Sequence, residues 1–208
     1  MHRLLHIAAS PRGTASQSRF LADVFTDSYR EAHPDADVDL FNLWDGTLPS
    51  FGPTATAAHM ALLAGSRPQG APARAWAALR ETFDRFDSYD RYVFSVPMWN
   101  GGIPYILKQF IDVISQPGLV FEIHPERGCT GLLRGKKAAV VYTSAGYGPG
   151  RDDAFGNDFQ TAFFDDWLRW TGIDDVTAVH FRTHPTAPGG IEDRRAAAAS
   201  ARQAARTF

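Results

Sequence analysis

Clustered serine hydroxyls ahead of a helix can hold a phosphate, and an aromatic loop flanked by proline and glycine can cover a flat ring. This 208-residue chain carries both. Ser10, Ser16 and Ser18 fall within the nine-residue run Ser10-Pro11-Arg12-Gly13-Thr14-Ala15-Ser16-Gln17-Ser18, just ahead of a helical pattern. Their hydroxyls suit a phosphate monoester, aided by the unpaired N–H groups at a helix start and the positive end of its dipole. Taken alone, Ser16 is equally an N-cap. A second segment, Pro97-Met98-Trp99-Asn100-Gly101-Gly102-Ile103-Pro104, follows a short apolar run and precedes another helical pattern. A third, Ser144-Ala145-Gly146-Tyr147-Gly148-Pro149-Gly150, offers glycines for close approach and exposed backbone donors. The plain alternative for these two is ordinary loop punctuation.

The elements that must position these segments alternate. Leu4 to Ala9 reads as a strand, Ser16 or Gln17 through Ala32 as a helix with Phe20, Leu21, Val24, Phe25 and Tyr29 on one face, and Ala36 to Leu43 as a second strand. Trp44 to Ala73 is rich in Gly, Pro, Thr and Ala and predicts a long excursion with one short helix at Ala57 to Ala64. Further on, Ala75 to Phe86, Ile103 to Ile114, Phe159 to Thr171 and Glu192 to Arg206 read as helices, and Tyr92 to Val96, Lys136 to Thr143 and Val176 to Phe181 as strands. That alternation predicts a single α/β domain over residues 1–208, a doubly wound five-stranded parallel sheet flanked by helices. A parallel sheet brings all three segments to the carboxyl edge, where open α/β sheets bind ligands. The first turn is not G-x-G-x-x-G, so a mononucleotide fits better than a dinucleotide bound in Rossmann fashion.

Composition narrows the partners. Twenty-one basic against 23 acidic residues, a net charge of -2, imply no pull toward nucleic acid or an anionic membrane. No stretch reaches the roughly 20 apolar residues that span a bilayer, and the amino terminus lacks a signal-peptide pattern, so a cytoplasmic protein is expected. The one cysteine, Cys129, has no C-x-x-C neighbour and reads as an ordinary residue. The histidines, His2 and His6 about the first strand and His180 and His184 about the last, show no metal spacing, and no metal is expected. Arg194, Arg195, Arg202 and Arg206 read as a solvated helix face.

Together these segments resemble the FMN-dependent NAD(P)H:quinone oxidoreductases and azoreductases of flavodoxin-like fold, the bacterial azoreductases in particular. The matching residues are Ser10 with Ser16-Gln17-Ser18; Pro97-Met98-Trp99-Asn100, where that family has P-M-Y-N-F; Gly118-Leu119-Val120-Phe121 with Gly131-Leu132-Leu133 and Gly135-Lys136-Lys137-Ala138, matching G-V-T-F and G-L-x-x-G-K-K; and Thr143-Ser144-Ala145-Gly146, matching T-S-R-G-G. The resemblance implies FMN as cofactor and NADH or NADPH as donor. Ser10, Ser16, Gln17 and Ser18 would hold the phosphate and ribityl end. Pro97, Met98, Trp99, Asn100 and Gly101 would pack on the isoalloxazine, and Ser144, Ala145, Gly146 and Tyr147 would close its pyrimidine side.

It further implies a homodimer with active sites at the interface, to which the Gly118 to Gly131 loop and the Phe159 to Trp170 helix contribute. Turnover would be ping-pong, the acceptor entering the place that nicotinamide leaves. No side chain is assigned a catalytic role; Tyr147 is either a proton or hydrogen-bond donor or simply a loop aromatic.

Departures from the family fall around the acceptor. Gly101 replaces an aromatic, Ile123 stands where a tyrosine is common, and Ala145 replaces an arginine. These predict an opened, neutral substrate pocket beside Phe121 and Ile123 and a bulky polycyclic acceptor, with Trp167 or Trp170 either supplying an aromatic wall from the partner subunit or lying in the core. Competing readings are a flavodoxin-like electron carrier, disfavoured by the near-neutral charge, a flavin-dependent reductase of a biosynthetic pathway, and a binding module without cofactor.

Overall fold

The computed structural model describes residues 2–148, 150–183 and 187–208; Pro149 and His184, named above, lie outside the described residues. In chain order the elements are β1 (Arg3–Ala8), α1 (Gln17–Ala32), β2 (Asp37–Asn42), α2 (Pro53–Leu63), α3 (Gly70–Asp87), β3 (Arg91–Pro97), α4 (Tyr105–Ile114), β4 (Phe121–His124), β5 (Gly128–Gly131), β6 (Lys137–Thr143), α5 (Phe159–Thr171), β7 (Asp175–Phe181) and α6 (Gly190–Arg206). Five strands form a parallel sheet in the order β2-β1-β3-β6-β7. The chain first builds outward from β1 to β2 and then returns to the other side of β1 for β3. That reversal opens a crevice at the carboxyl ends of β1 and β3, as in the flavodoxin-like strand order.

Side chains alternate across the sheet with period two and feed two cores. Leu5, Ile7, Tyr92, Phe94, Val140 and Tyr142 join the buried faces of α3, α4 and α5. Leu4, Val93, Ala139, Val141 and Val179 meet α1 and α6 on the other side. Fully buried aromatics such as Phe94 and Phe110 each contribute about 1.5–3 kcal/mol through apolar burial. The alanines of α6 let it sit close to α1: Ala197, Ala198, Ala201 and Ala205 are all buried.

Several boundaries differ from the sequence reading for physical reasons. α3 starts at Gly70 rather than Ala75, because Pro72 lies in the first turn, where its missing N–H has no helical partner to lose. α2 likewise starts on Pro53 at its first position, so the excursion after β2 is largely helical. α4 starts at Tyr105, after Pro104, because a residue preceding proline is pushed out of the helical region. The segment read as a loop from Gly118 to Gly131 contains an antiparallel hairpin, β4 with β5, joined by three residues and closed by Gly128 at φ 75°. Gly131 anchors it against the end of α5: a Cβ there would lie 2.3 Å from the Thr171 carbonyl carbon. Among the described residues, no helix is long and apolar enough to cross a membrane.

Candidate active site

The first turn leaves β1 at Ser10, passes a 3-10 turn at Gly13–Ala15 and enters α1 at Ser16. The N-cap and the cradle turn out to be one arrangement. Ser16 Oγ accepts the N–H of Arg19 at 3.3 Å and lies 3.0 Å from Ser18 Oγ, with Ser10, Ser16 and Ser18 all buried. The earliest N–H groups of α1 have no carbonyl behind them and face the same space. Gln17 Oε1 is buried without a partner among the described residues, an acceptor that asks for a donor such as a ribityl hydroxyl rather than for a phosphate. These groups fit a phosphorylated polyol. Arg12, whose N–H approaches Ser10 Oγ at 3.4 Å, borders the same cleft and was not singled out in the sequence.

In the second turn, Trp99 and Gly102 exchange both backbone hydrogen bonds, at 2.8 and 2.9 Å, around Asn100 (φ 49°) and Gly101 (φ 81°). Two positive φ angles in succession are the signature of a type I′ turn, which Asn-Gly supplies at low cost. The closure uses the N–H groups of Trp99 and Gly102 and leaves those of Asn100 and Gly101 outside it. Trp99 is held from behind by Trp44 and Tyr105, with ring centroids 6.0 and 6.1 Å away, and Trp44 Nε1 donates to Ala9 O at 3.0 Å. Trp44 had no sequence signal beyond an aromatic just past a strand end.

The third turn is tied to its neighbours through backbone. Met98 N donates to Thr143 O at 2.7 Å and Ser144 N to Phe181 O at 3.1 Å, while the Ser144 hydroxyl donates to Tyr147 O at 2.7 Å. The start of α5 docks on the second turn, with Phe159 N on Gly101 O at 2.9 Å and Gln160 Nε2 on Val96 O at 2.9 Å. Asp158 caps α5. Burial pushes its carboxyl up, but hydrogen bonds from Thr161, the Arg182 charge and the Gln160 N–H outweigh that and hold it below the ordinary range.

Three contiguous spaces result. A cleft of ≈ 370 Å³ lies between Ser10, Ser16 and Gln17 on one side and Pro97–Trp99 with Thr143–Ala145 on the other. A second, ≈ 430 Å³, runs between Asn100, Gly101 and the Ser144–Tyr147 turn. The third and largest, ≈ 590 Å³, is walled by Trp99, Tyr105, Phe159 and Phe163, with Lys108 at its edge. Met98, Trp99 and Asn100 are the partition they share.

The structure therefore brings the cofactor-side residues of all three turns together, and it does not do so for the rest. Trp167 is buried against Phe164, and its Nε1 donates to Ser115 Oγ at 3.0 Å, which places it in the core of this chain rather than on these spaces. Phe121 packs on Trp170 with centroids 4.6 Å apart, and Ile123 is exposed on the hairpin; neither lines these spaces within the chain. Phe159 and Phe163 were missed as wall residues because their helix reads as a core element. The space beside Gly101 is flanked by the Phe159 ring, 3.6 Å from where a Cβ would stand.

Beneath the edge, His6 Nε2 lies 3.1 Å from Ser95 Oγ, and its Nδ1 lies 3.6 Å from Asp23. This resembles a nucleophilic triad in composition only, since Ser95 is fully buried and no substrate can reach it. Burial, with Arg19 and Arg30 adding to it, lowers the His6 pKa to about 3. The neutral imidazole is a strut between α1 and β3, the elements that carry the first two turns.

Comparison with known proteins agrees with this geometry. The model of the flavodoxin-like fold family matches residues 2–208. An FMN-dependent NADH:quinone oxidoreductase of Ruegeria pomeroyi is 43% identical over 182 residues, 88% of this chain and 89% of the relative. The chain belongs to this flavodoxin-like oxidoreductase family. Another member, FMN-dependent NADH:quinone oxidoreductase 9 of Burkholderia lata, is 38% identical over the full length of both chains. Among solved structures, an azoreductase from Bacillus anthracis superposes with a TM-score of 0.90 at 26% identity, covering 100% of each chain. The curated relatives are named quinone oxidoreductases, and the structural neighbour an azoreductase.

Proposed function

We propose that this chain is an FMN-dependent oxidoreductase that uses NADH or NADPH to reduce a quinone- or azo-type aromatic acceptor. The observation that carries the reading is the junction of a hydroxyl-lined cleft with an aromatic-walled space across one partition, Met98–Trp99–Asn100. When bound, FMN supplies a ring able to accept a hydride from reduced nicotinamide and release it to an acceptor. Ser10, Ser16 and Ser18 and the start of α1 hold the phosphate, and Gln17 takes a polyol hydroxyl. Asn100 and Gly101 present free N–H groups to polar atoms at the ring edge, where fixed donors stabilise developing charge without reorganising. Tyr147 and its turn cover the other end. Trp99, Phe159 and Phe163 would offer a flat substrate aromatic faces to pack on.

The aromatic space admits one flat molecule at a time, so donor and acceptor take turns in it, which is ping-pong order. Its size and nearly uncharged walls favour a bulky polycyclic acceptor, since Lys108, the cation at its edge, is paired with Asp112. The 208 residues act as one domain, in the cytoplasm and as a homodimer. Exposed Tyr105, Phe155 and Phe159, with Ile123 on the hairpin, are the apolar surface that a second copy would cover.

The test is a visible absorption spectrum of the purified protein followed by anaerobic titration with NADH and NADPH. Flavin bands that bleach directly on mixing support the enzyme; a flavin that ignores both donors means an electron carrier, and a colourless protein that ignores added FMN means a binding module. Faster turnover of small benzoquinones than of polycyclic quinones would remove the bulky-acceptor reading.

A further inference from the structure

Arg182 follows the last residue of β7 and stands at the same sheet edge as the three turns. Its side chain is nine-tenths buried and pairs with the equally sheltered Asp158 at 2.9 Å. The guanidinium also lies over the Tyr147 ring, 5.2 Å from its centroid, within the range of a cation–π contact. Among the described residues its buried Nη1 has no partner. Asp158, for its part, takes Gln160 N and Thr161 N on Oδ1 and the Thr161 hydroxyl and Arg182 on Oδ2. Arg182 is thus the side chain that touches both the third turn, through Tyr147, and the start of α5, through Asp158. The start of α5 is in turn bonded to the second turn through Phe159 N and Gln160 Nε2. The Ser10–Ser18 turn has no part in this chain of contacts.

We propose that Arg182 is a positioning residue that locks the Ser144–Gly148 turn and the start of α5 into one unit, setting the ring end of the site independently of the phosphate end. The inference deepens the functional reading above and rests on it only for the identity of the ligand. A planar guanidinium can do both jobs at once, holding a carboxylate edge-on while presenting a face to an aromatic ring; a lysine ammonium keeps the charge and loses the face. Two nearly isosteric perturbations therefore isolate the device. Arg182→Lys retains an ion for Asp158, and Tyr147→Leu retains the pair but removes the ring.

Hydrogen exchange on the FMN-free full-length protein reads the coupling directly. In Arg182→Lys, amides of 144–148 and of 159–161 are expected to exchange at least about tenfold faster, with those of 17–19 unchanged. Equal acceleration at 17–19 would mean a general loss of stability and overturn the proposal. With FMN, each single variant is expected to raise the Kd about tenfold, and the double variant no more than either single one, because both remove the same contact. Additive effects would overturn it. If the unaltered protein takes up no FMN, the functional reading fails while the exchange experiment still decides the role of Arg182.

Discussion

The phosphate end and the ring end of this site are built on different principles. At the phosphate end, nine consecutive residues supply the polar side of the cleft: Ser10, Ser16 and Ser18 are buried, and Ser16 Oγ lies beside Ser18 Oγ and takes the Arg19 N–H. At the ring end, the walls come from the Trp99–Gly102 turn, the Ser144–Tyr147 turn and α5, three separate stretches of the chain that meet through individual hydrogen bonds. A locally built site tolerates change elsewhere in the chain; an assembled one responds to anything that shifts its parts.

Charge at the phosphate end is the harshest way to break this contrast. Ser16→Asp keeps a good N-cap while placing a carboxylate in the cradle. With roughly 4 kcal/mol of repulsion per charge pair at contact distance, FMN affinity is expected to fall by about a thousandfold. Riboflavin, which lacks the phosphate, is expected to bind as before in a fluorescence titration, and an equal loss for both would deny the phosphate assignment.

Next in size is Gly131→Ala. Its Cβ would collide with the Thr171 backbone and is expected to destabilise by about 3 kcal/mol in urea unfolding. The damage concentrates where the hairpin meets α5, so acceptor KM should rise before FMN affinity falls.

Phe163→Ala removes one wall of the aromatic space. A rise of about fivefold to tenfold in KM for a polycyclic quinone is expected, with the FMN Kd unchanged. A matching loss of FMN affinity would show that the two ends are not separable.

The most gradual effect is that of pH on the strut below both ends. His6 is neutral in the fold, with its pKa lowered from 6.5 to about 3, whereas the unfolded chain protonates it near 6.5. Between those values the unfolded state binds the extra proton, so stability falls as pH drops below 6.5 and the loss is complete near 3. The slope is about 1 kcal/mol per pH unit, and it should flatten in His6→Gln when urea midpoints are compared across pH.

Legibility in the sequence followed the same division. The serine cradle and the Asn-Gly turn were readable because their chemistry is written in adjacent residues, and the strands because buried parallel strands are short apolar runs. Phe159 and Phe163 were not, since an aromatic on a helix reads as core until the helix is placed; Trp167, four residues beyond Phe163, shows the converse by lying in the core where a wall was expected. The hairpin at Phe121–Gly131 was invisible because its strands are short, largely exposed and lack a clean alternation. Arg182 and Trp44 carried no local signal at all.

By itself, the sequence determined the order of the five sheet strands and their flanking helices, the edge of the sheet to which the three turns come, and the serine-lined first turn. These follow from hydrophobic periodicity, the handedness of crossovers and the unpaired donors of one helix start, all of which act over a few residues. Tertiary structure alone decided which aromatics wall the acceptor space, which arginine lies beneath the third turn, and how Asp158 ties that turn to α5. Those contacts join residues far apart in the chain, and no local pattern encodes a distance that only the packed sheet and its helices create.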